Sequence, residues 1–380
     1  MLPGDFTLLQ VTPALDSGGV ETLTVDMATA VAAAGGRSLV ASRGGRLEEE
    51  LAWGGAELIR MPVDTRNPWM LAANAGRLER ILREQKVSLV HVRSRAPAFS
   101  ALWAARRAHI PIVATYHGIY AARSPIKRWY NSVMIRGDAV IANSVYTREH
   151  ILTQHRVAAN KIVVIPEGVD TGVFDPARIS AERVSAVRHS WGIADHDDHQ
   201  IVLLAARLTG WKGHSIAIEA LAQSGASSKA RLVFVGRGED VPFAADLSAQ
   251  AATAGVALHI VGACSDMPAA YLAADVVAAP STEPESFGRS VAEAGAMGRV
   301  AIASKPGGTA ETVVDGQTGL LAQAGDVDAW AAALGRALGM SRGERAVMGS
   351  AAWARIREHY SMAGMCEATF ALYRRLCEAK

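Results

Sequence analysis

The sequence of 380 residues lacks the features of a secreted or membrane-spanning protein. No apolar run approaches the roughly 18 residues that suggest a membrane-spanning helix, and the N-terminus has neither the basic start nor the cleavage site of a secretory signal. The three cysteines have no metal-ligand spacing, so free thiols in a reducing compartment are the simplest interpretation. We therefore expect a cytoplasmic protein.

The sequence also lacks the motifs of dinucleotide-binding enzymes and of enzymes that bind a metal through an Asp-x-Asp pair. No Gly-x-Gly-x-x-Gly fingerprint follows a predicted strand, which argues against a dehydrogenase. No Asp-x-Asp pair stands at a predicted strand end, and the nearest acidic cluster, 195–198, is interpreted as a solvated loop. The sequence thus predicts neither a bound cofactor nor a metal.

Charge is divided unevenly between the two halves of the chain. Residues 1–170 carry 20 Lys and Arg against 15 Asp and Glu, whereas residues 171–380 carry 19 against 22. A basic first half suits an anionic partner, such as a phosphorylated acceptor or an acidic lipid surface. A chance fluctuation of surface charge explains the asymmetry equally well.

Short β-branched runs alternate with helical stretches along almost the whole chain. Such runs are typical of buried parallel strands, and their alternation with helices predicts right-handed βαβ units. We predict an α/β protein with two doubly wound, Rossmann-like domains that join in a polar linker at about 171–198. The predicted strands are 6–11, 38–41, 58–61, 89–92, 112–115, 139–142, 162–165, 201–205, 231–235, 258–261, 276–279 and 300–303.

The most specific pattern lies between Ser281 and Gly298, where a predicted strand leads through a loop into an Ala-rich helix. Glu285 is placed on the loop and Glu293 about two turns inside the helix. Between them, Phe287-Gly288 supplies backbone N–H groups at the helix start, which suit a phosphate. Carboxylates on either side suit sugar hydroxyls. Together these groups predict a site for a nucleotide sugar.

The spacing Glu285-x7-Glu293, with Phe287-Gly288 inside it, resembles the signature of the retaining family 4 glycosyltransferases of the GT-B fold. The resemblance implies two domains that face a central cleft, 1–170 for the acceptor and 171–359 for the nucleotide sugar. It also implies that a last helix at 360–380 packs back on the first domain. Further matches fall in the family's order: Gly18-Gly19, Ile141-Ala-Asn-Ser144, Ile165-Pro-Glu-Gly-Val-Asp170, Arg207-x4-Lys212-Gly213, Val235-Gly-Arg-Gly-Glu-Asp240 and Gly307-Gly-Thr-Ala-Glu311.

Arg207 and Lys212 follow a predicted buried strand and resemble the diphosphate clamp of the family. A guanidinium binds two phosphate oxygens at once, and an ammonium adds a compact charge. Two cations at this place stabilise the charge that develops on a departing diphosphate, which removes the need for a metal. A surface ion pair is the alternative interpretation of the two residues.

The resemblance gives each carboxylate its own part of the donor. Glu285 binds the hydroxyls of the sugar, with Glu283 as a rival for that role, and Glu293 binds the ribose. Arg289 either reaches the diphosphate or pairs with a neighbouring carboxylate. The predicted donor-binding residues are Gly18, Gly19, Arg207, Lys212, Gly236, Arg237, Glu285, Ser286, Phe287, Gly288, Arg289 and Glu293.

The predicted acceptor side lies at strand ends of the first domain. His117 follows the strand 112–115, and a family histidine at this place lies close to the reacting sugar. His117 therefore joins Arg207, Lys212 and Glu285 as predicted catalytic residues, with a structural histidine as the alternative. The further acceptor-side candidates are His91, Arg93, Arg95 and Asn143. For the basic cluster 91–95, a solvated surface patch is an equally good interpretation.

Two segments rich in basic and aromatic residues, 66–86 and 123–136, are candidates for membrane contact. For 123–136, a helix half-buried on the sheet gives the same pattern and is the favoured interpretation. Peripheral contact with the inner face of the cytoplasmic membrane is therefore a secondary expectation. No feature indicates a nucleic-acid partner.

The pattern as a whole predicts a retaining, metal-independent hexosyltransferase that uses a nucleotide diphosphosugar. A UDP-sugar is the favoured donor and a GDP-sugar the second choice. The expected acceptor is a lipopolysaccharide or another cell-envelope glycolipid. The alternatives are a non-catalytic nucleotide-sugar-binding subunit and a GT-B isomerase or phosphorylase.

Overall fold

The computed structural model describes residues 5–16, 18–122, 124–194, 196–238 and 242–379. The chain divides into two units, one made of Met1–Pro166 with Met365–Lys380 and the other of Glu167–Gly364. Five residues of predicted motifs or segments, Arg123, Asp195, Glu239, Asp240 and Lys380, lie outside the described residues.

Each unit is built on one parallel sheet. The strands of the first sheet are β1 (Thr7–Val11), β2 (Arg37–Ser42), β3 (Glu57–Arg60), β4 (Leu89–Val92), β5 (Ile112–Tyr116), β6 (Ala139–Ala142) and β7 (Ile162–Val164). The strands of the second are β8 (Gln200–Ala205), β9 (Ala230–Val235), β10 (Ala257–Ile260), β11 (Val276–Ala279), β12 (Val300–Lys305) and β13 (Leu320–Gln323). Their spatial orders are β3-β2-β1-β4-β5-β6-β7 and β10-β9-β8-β11-β12-β13.

Both orders reverse direction beside the first strand of the unit, which is the doubly wound topology. The predicted α/β fold with two Rossmann-like domains is confirmed, and all twelve predicted strands are present to within about two residues. The thirteenth strand, Leu320–Gln323, was not predicted.

Helices cover both faces of each sheet. They are α1 (Gly19–Ala33), α2 (Glu48–Trp53), α3 (Pro68–Glu84), α4 (Arg95–Ala108), α5 (Pro125–Asn131), α6 (Val145–Gln154), α7 (Ala181–Ser190), α8 (His214–Gln223), α9 (Pro242–Ala254), α10 (Met267–Ala273), α11 (Arg289–Ala296), α12 (Thr309–Thr312), α13 (Val327–Gly339), α14 (Arg342–His359) and α15 (Met362–Glu378). None of the described helices is long and apolar enough to cross a membrane.

Alternating side chains of the central strands enter separate apolar clusters on the two faces. In β8, Val202 and Leu204 belong to the cluster on one face, whereas Ile201 and Leu203 belong to the cluster on the other. Strands that are buried on both faces read as continuous apolar runs, which is why sequence alone located them.

The range predicted as a polar linker contains an ordered part of the second unit. Ser180 caps α7 by accepting the N–H of Arg183, and the buried side chains of Val187, Trp191 and Ile193 lie in the apolar cluster of the second sheet. The polar residues of this segment therefore form the outer face of a helix.

The last helix, α15, is anchored in the first unit by Tyr373, which is fully buried. The Tyr373 ring stacks on Phe6 with 6.0 Å between centroids, and its hydroxyl lies 2.6 Å from Nδ1 of His91.

Candidate functional site

In the second unit, the loops that follow β8, β11 and β12 are held together by close backbone contacts. Gly213 has a φ of 75°, and a Cβ there would lie 1.8 Å from the carbonyl oxygen of Pro280. Next to this contact, the N–H of Thr282 donates to the carbonyl of Trp211 at 2.8 Å. The loop that carries Lys212 is therefore fixed against the loop that carries Glu285.

This contact brings two predicted catalytic residues together. Nζ of Lys212 lies 2.7 Å from Oε2 of Glu285, and the side chains are 17% and 14% exposed. The Ser281 hydroxyl donates to the other carboxylate oxygen of Glu285. The rival Glu283 is exposed. The ammonium and carboxylate thus form one ion pair, whereas the sequence analysis placed them on different parts of the donor.

Glycines also fit the loop after β12 against the start of α11. The N–H of Gly308 donates to the carbonyl of Glu285 at 2.8 Å. Gly288 has a φ of 88°, and a Cβ there would lie 2.5 Å from Oγ1 of Thr309. A left-handed glycine thus precedes α11, which begins at Arg289. The buried side chain of Phe287 packs against Tyr360. Phe287 therefore offers its backbone, and not its ring, at the start of α11.

Glu293 differs in two respects from the prediction. It is the fifth residue of α11, so it lies about one turn inside the helix and not two. Its carboxylate already has partners, because Tyr271 donates a hydrogen bond of 2.9 Å to Oε2 and Arg289 lies 3.3 Å from Oε1. Burial and the Glu293 carboxylate raise the pKa of Tyr271 well above its usual value, so the phenol stays protonated and donates.

The arginines after β8 and β9 have a different environment. Arg207 is exposed and forms no ion pair with the residues that the structure describes. Arg237 is also exposed, and its carbonyl accepts the N–H of Leu208 at 2.9 Å. At Gly236, a Cβ would lie 1.9 Å from the carbonyl oxygen of Ala206, so these two loops touch through backbone. Both arginines thus follow strands at the same sheet edge as Lys212.

In the first unit, the predicted glycine pair lies at the start of α1. Gly18 precedes the helix with a φ of 145°, and Gly19 is its first residue. A Cβ on Gly18 would lie 2.6 Å from a carboxylate oxygen of Glu21. The glycines therefore open a helix N-terminus, and an acidic side chain lies over it.

His117 and Arg93 meet at the carboxyl edge of the first sheet. Nε2 of His117 lies 3.5 Å from Nη1 of Arg93, and Nε of Arg93 donates to Oε1 of Gln10 at 2.9 Å. Gln10 is held in turn by a hydrogen bond of 2.9 Å to the carbonyl of Thr24. A buried glutamine thus orients an arginine toward the histidine, a link that the sequence analysis missed.

His91 is a correction to the predicted acceptor side. It is 1% exposed, with Nδ1 2.6 Å from the Tyr373 hydroxyl and Nε2 2.7 Å from Oγ1 of Thr115. Burial, with the positive charge of Arg93, lowers the pKa of His91 well below its usual value. A neutral histidine with both nitrogens bonded inside the unit joins the strands to α15 and does not reach a ligand.

The remaining acceptor-side candidates are also held by neighbours. Arg95 donates to Oδ1 of Asn131 at 2.8 Å, and its guanidinium lies 4.0 Å from the centre of the Tyr120 ring. Asn143 is fully buried and accepts the Thr147 hydroxyl at 2.9 Å. Both side chains are therefore engaged in contacts within the first unit.

The sequence analysis missed three residues that contact a predicted one. Tyr271 and Gln10 do so from another element, and Ser281 does so from the same loop as Glu285. Ser281 alone had a signal, because it lies within the Glu285 loop. In the acidic stretch 195–198, Asp197 pairs with Arg231 at 2.7 Å and is not simply solvated. No three His, Cys, Asp or Glu side chains within the described ranges are grouped as metal ligands.

Comparison with known proteins shows the family of this chain. The family model for Glycosyltransferase Family 4 matches residues 17–173, and the model for Glycosyl transferases group 1 matches residues 189–354. A GDP-mannose-dependent alpha-(1-6)-phosphatidylinositol monomannoside mannosyltransferase of Mycolicibacterium smegmatis is 31% identical over 80% of this chain and 80% of its own length. A D-inositol 3-phosphate glycosyltransferase of Segniliparus rotundus is 30% identical, and the match covers 59% of this chain and 51% of that protein.

Solved structures show the same fold. A glycosyltransferase from Rickettsia africae superposes with a TM-score of 0.89 at 30% identity, covering 99% of this chain and all of that one. Anabaena Alr3699/HepE, crystallised with UDP and glucose, has a TM-score of 0.85 at 22% identity over 97% of this chain and all of its own. The chain therefore belongs to family 4 of the glycosyltransferases and is a hexosyltransferase of the GT-B fold.

Proposed function

We propose that the enzyme transfers a hexosyl unit, with retention of anomeric configuration, from a nucleotide diphosphohexose to a hydroxyl of a cell-envelope glycolipid. The contact between Lys212 and Glu285 carries this proposal. In a nucleotide diphosphosugar the anomeric carbon joins the sugar to the phosphate, so a cation for the phosphate and a carboxylate for the hydroxyls must be neighbours. A separation of 2.7 Å between the two groups meets that requirement.

The proposed chemistry is a displacement on one face of the sugar. The bond between the anomeric carbon and the phosphate oxygen breaks, the acceptor oxygen bonds to the same carbon, and its proton passes to the departing phosphate. Lys212 and Arg207 stabilise the charge that develops on that phosphate, and the first N–H groups of α11 add hydrogen bonds. No metal is assigned a role, so we expect turnover to persist in excess EDTA.

The donor and acceptor are proposed from the relatives. The mannosyltransferase of M. smegmatis uses GDP-mannose and a phosphatidylinositol monomannoside by its name. GDP-mannose is therefore the first donor to test, beside the UDP-sugars that the sequence analysis favoured. A lipid-linked glycan, including a lipopolysaccharide precursor, is the proposed acceptor.

The test combines binding with product analysis. A donor present at 100 times its dissociation constant adds about 2.7 kcal/mol to the unfolding free energy, so a thermal-shift screen of GDP-, UDP- and ADP-sugars identifies the nucleotide. Incubation of that donor with envelope lipids should give a lipid heavier by one hexose, with the donor's anomeric configuration. Binding without transfer to any lipid would favour a binding subunit, and an inverted product would contradict the proposed chemistry.

A further inference from the structure

The first unit has a basic cavity of about 780 Å³ at the edge of its sheet where strands begin. Its lining includes Ile112 and Ala139, the first residues of β5 and β6. His117 follows the opposite end of β5. Five residues at about 3.3 Å each place the cavity roughly 16 Å from that histidine. It is therefore separate from the candidate site at the carboxyl edge.

Among the described residues, four cations line this cavity, and each comes from a different part of the chain. Arg106 lies on α4, Arg136 precedes β6, Lys161 precedes β7 and Arg375 lies on α15. The only acidic residue among the described lining residues is Asp138, whose carboxylate already accepts the N–H of Ile112 at 2.8 Å. The described lining thus carries four positive charges against one negative charge.

None of the four cations forms an ion pair within the described parts of the chain. Arg136 donates to the Ser132 hydroxyl at 2.7 Å, and Arg106 reaches only the carbonyl of Arg136 at 3.4 Å. Cations that line one cavity with a single carboxylate repel one another and concentrate counter-ions there. Several donors of this kind match the oxygens of a phosphate group.

An exposed apolar surface adjoins the cavity through Arg136. The guanidinium of Arg136 lies 5.3 Å from the centre of the Trp129 ring. Trp129 and Ile126, both on α5, are 58% and 79% exposed. The segment thus buries Val133 and Met134 and leaves Ile126 and Trp129 on its exposed face. The ring of Phe99, on α4, packs against the Trp129 ring with 5.5 Å between their centres.

We propose that this cavity binds the phosphate of an anionic phospholipid while Ile126 and Trp129 enter the surface of the same bilayer. Phosphate is the group that the cations recognise, and the neighbouring indole and aliphatic side chains suit the boundary between headgroups and acyl chains. The inference extends the proposed transfer to a lipid-linked acceptor by adding a lipid that is not consumed.

Vesicle co-sedimentation of the full chain tests the proposal without any transfer reaction. The wild type should sediment with vesicles that contain phosphatidylglycerol and much less with pure phosphatidylcholine, and salt should weaken the binding. Lys161→Glu should lower vesicle affinity by more than about fivefold, since each cation near an anionic surface contributes about that factor. Lys229→Glu, the same exchange at an exposed site of the second unit, should leave it unchanged.

Two further measurements distinguish a lipid from a soluble phosphate compound in the cavity, and a failure of this proposal from a failure of the proposed transfer. Inorganic phosphate should raise the melting temperature of the wild type but not of Lys161→Glu. If phosphate stabilises the protein but the protein does not sediment with anionic vesicles, the cavity does not bind a lipid. A soluble phosphate compound would then be its occupant. Equal sedimentation of Lys161→Glu and wild type would overturn the site itself. Donor binding, titrated by calorimetry, should be the same in both proteins, whatever the fate of the proposed transfer.

Discussion

At the residue scale, the two signature carboxylates differ in what already holds them. Glu285 is bound by a cation from a neighbouring loop and by a hydroxyl of its own loop, whereas Glu293 is bound by Tyr271 and Arg289. The protein itself therefore already supplies partners for the Glu293 carboxylate. A ribose would have to share or replace them.

We expect Glu285→Gln to lose turnover and Glu293→Gln to lose nucleotide affinity. Glu285→Gln should reduce turnover by about 10²-fold, because its hydrogen bonds to sugar hydroxyls lose their charge. Affinity for the free nucleoside diphosphate, which has no sugar, should stay the same or rise, since Lys212 loses a competing carboxylate. Glu293→Gln should weaken the binding of both the nucleotide sugar and the free nucleoside diphosphate. Calorimetric titration of both variants measures these affinities.

Tyr271→Phe is the matched control for Glu293, because it removes the internal hydrogen bond and keeps the carboxylate. It should retain more affinity for the free diphosphate than Glu293→Gln. An equal loss of diphosphate affinity in Glu285→Gln and Glu293→Gln would contradict the separate roles of the two carboxylates.

Substitution of the two cations should separate catalysis from stability. Arg207→Ala and Lys212→Ala should each lower turnover by about 10²-fold or more. Arg207 is exposed without an ion pair in the described part of the chain, so its loss should change the unfolding free energy by no more than about 0.5 kcal/mol. Lys212→Ala should destabilise the fold further, because Glu285 is left largely buried without its cation.

Urea unfolding beside steady-state kinetics measures both effects. The double variant Lys212→Ala, Glu285→Ala should be less destabilised than the two single changes added together, as expected of residues in contact. Wild-type turnover in either single variant would remove that residue from the proposed phosphate site.

At the scale of elements, the sequence predicted strands well and contacts between loops poorly. Buried runs such as Val276–Ala279 are recognisable because both faces are apolar. The strand Leu320–Gln323 was missed because it is short, lies at a sheet edge and ends in an exposed glutamine. The helix Ala181–Ser190 was missed because its few apolar residues are scattered among polar ones.

Partners distant in sequence could not be predicted from local patterns. The hydrogen bond between Tyr271 and Glu293 joins two helices, and the bonds of His91 to Tyr373 and Thr115 join two strands to α15. A histidine at a strand end resembles a ligand-binding residue until its neighbours are known. The positions of Lys212 and Glu285 were predicted because the motifs carry them, whereas their pairing depends on the fold of two loops.

Gly213→Ala should break the contact between those loops. The change costs about 1–2 kcal/mol for the left-handed conformation alone, and the new Cβ would also lie 1.8 Å from the Pro280 oxygen. Gly192→Ala is a matched control, because Gly192 has a φ of 73° and open space around its Cβ position. Gly213→Ala should therefore lose more unfolding free energy in urea than Gly192→Ala, and only Gly213→Ala should lose donor affinity. Equal effects of the two changes would show that the loop contact contributes nothing.

At the scale of the whole molecule, each unit buries a histidine that must stay neutral. Burial lowers the pKa of His91 well below its usual value in the first unit. In the second unit, burial lowers the pKa of His214 to about 4, and its ring packs edge-on against Phe234 at 4.9 Å. Below about pH 6.5, the unfolded chain therefore binds more protons than the folded one.

Stability should consequently fall as the pH decreases from about 6.5 toward 4, by up to about 1.4 kcal/mol per pH unit for each of the two histidines. His214→Leu should remove the contribution of His214 to this slope, because an apolar side chain in the same space takes up no proton. His196→Leu, at an exposed position, should leave the slope unchanged. Urea unfolding near pH 7.5 and near pH 5 measures the difference. If His214→Leu keeps the full wild-type loss of stability in acid, protonation of other groups must destabilise the second unit, and burial of His214 would not account for its acid sensitivity.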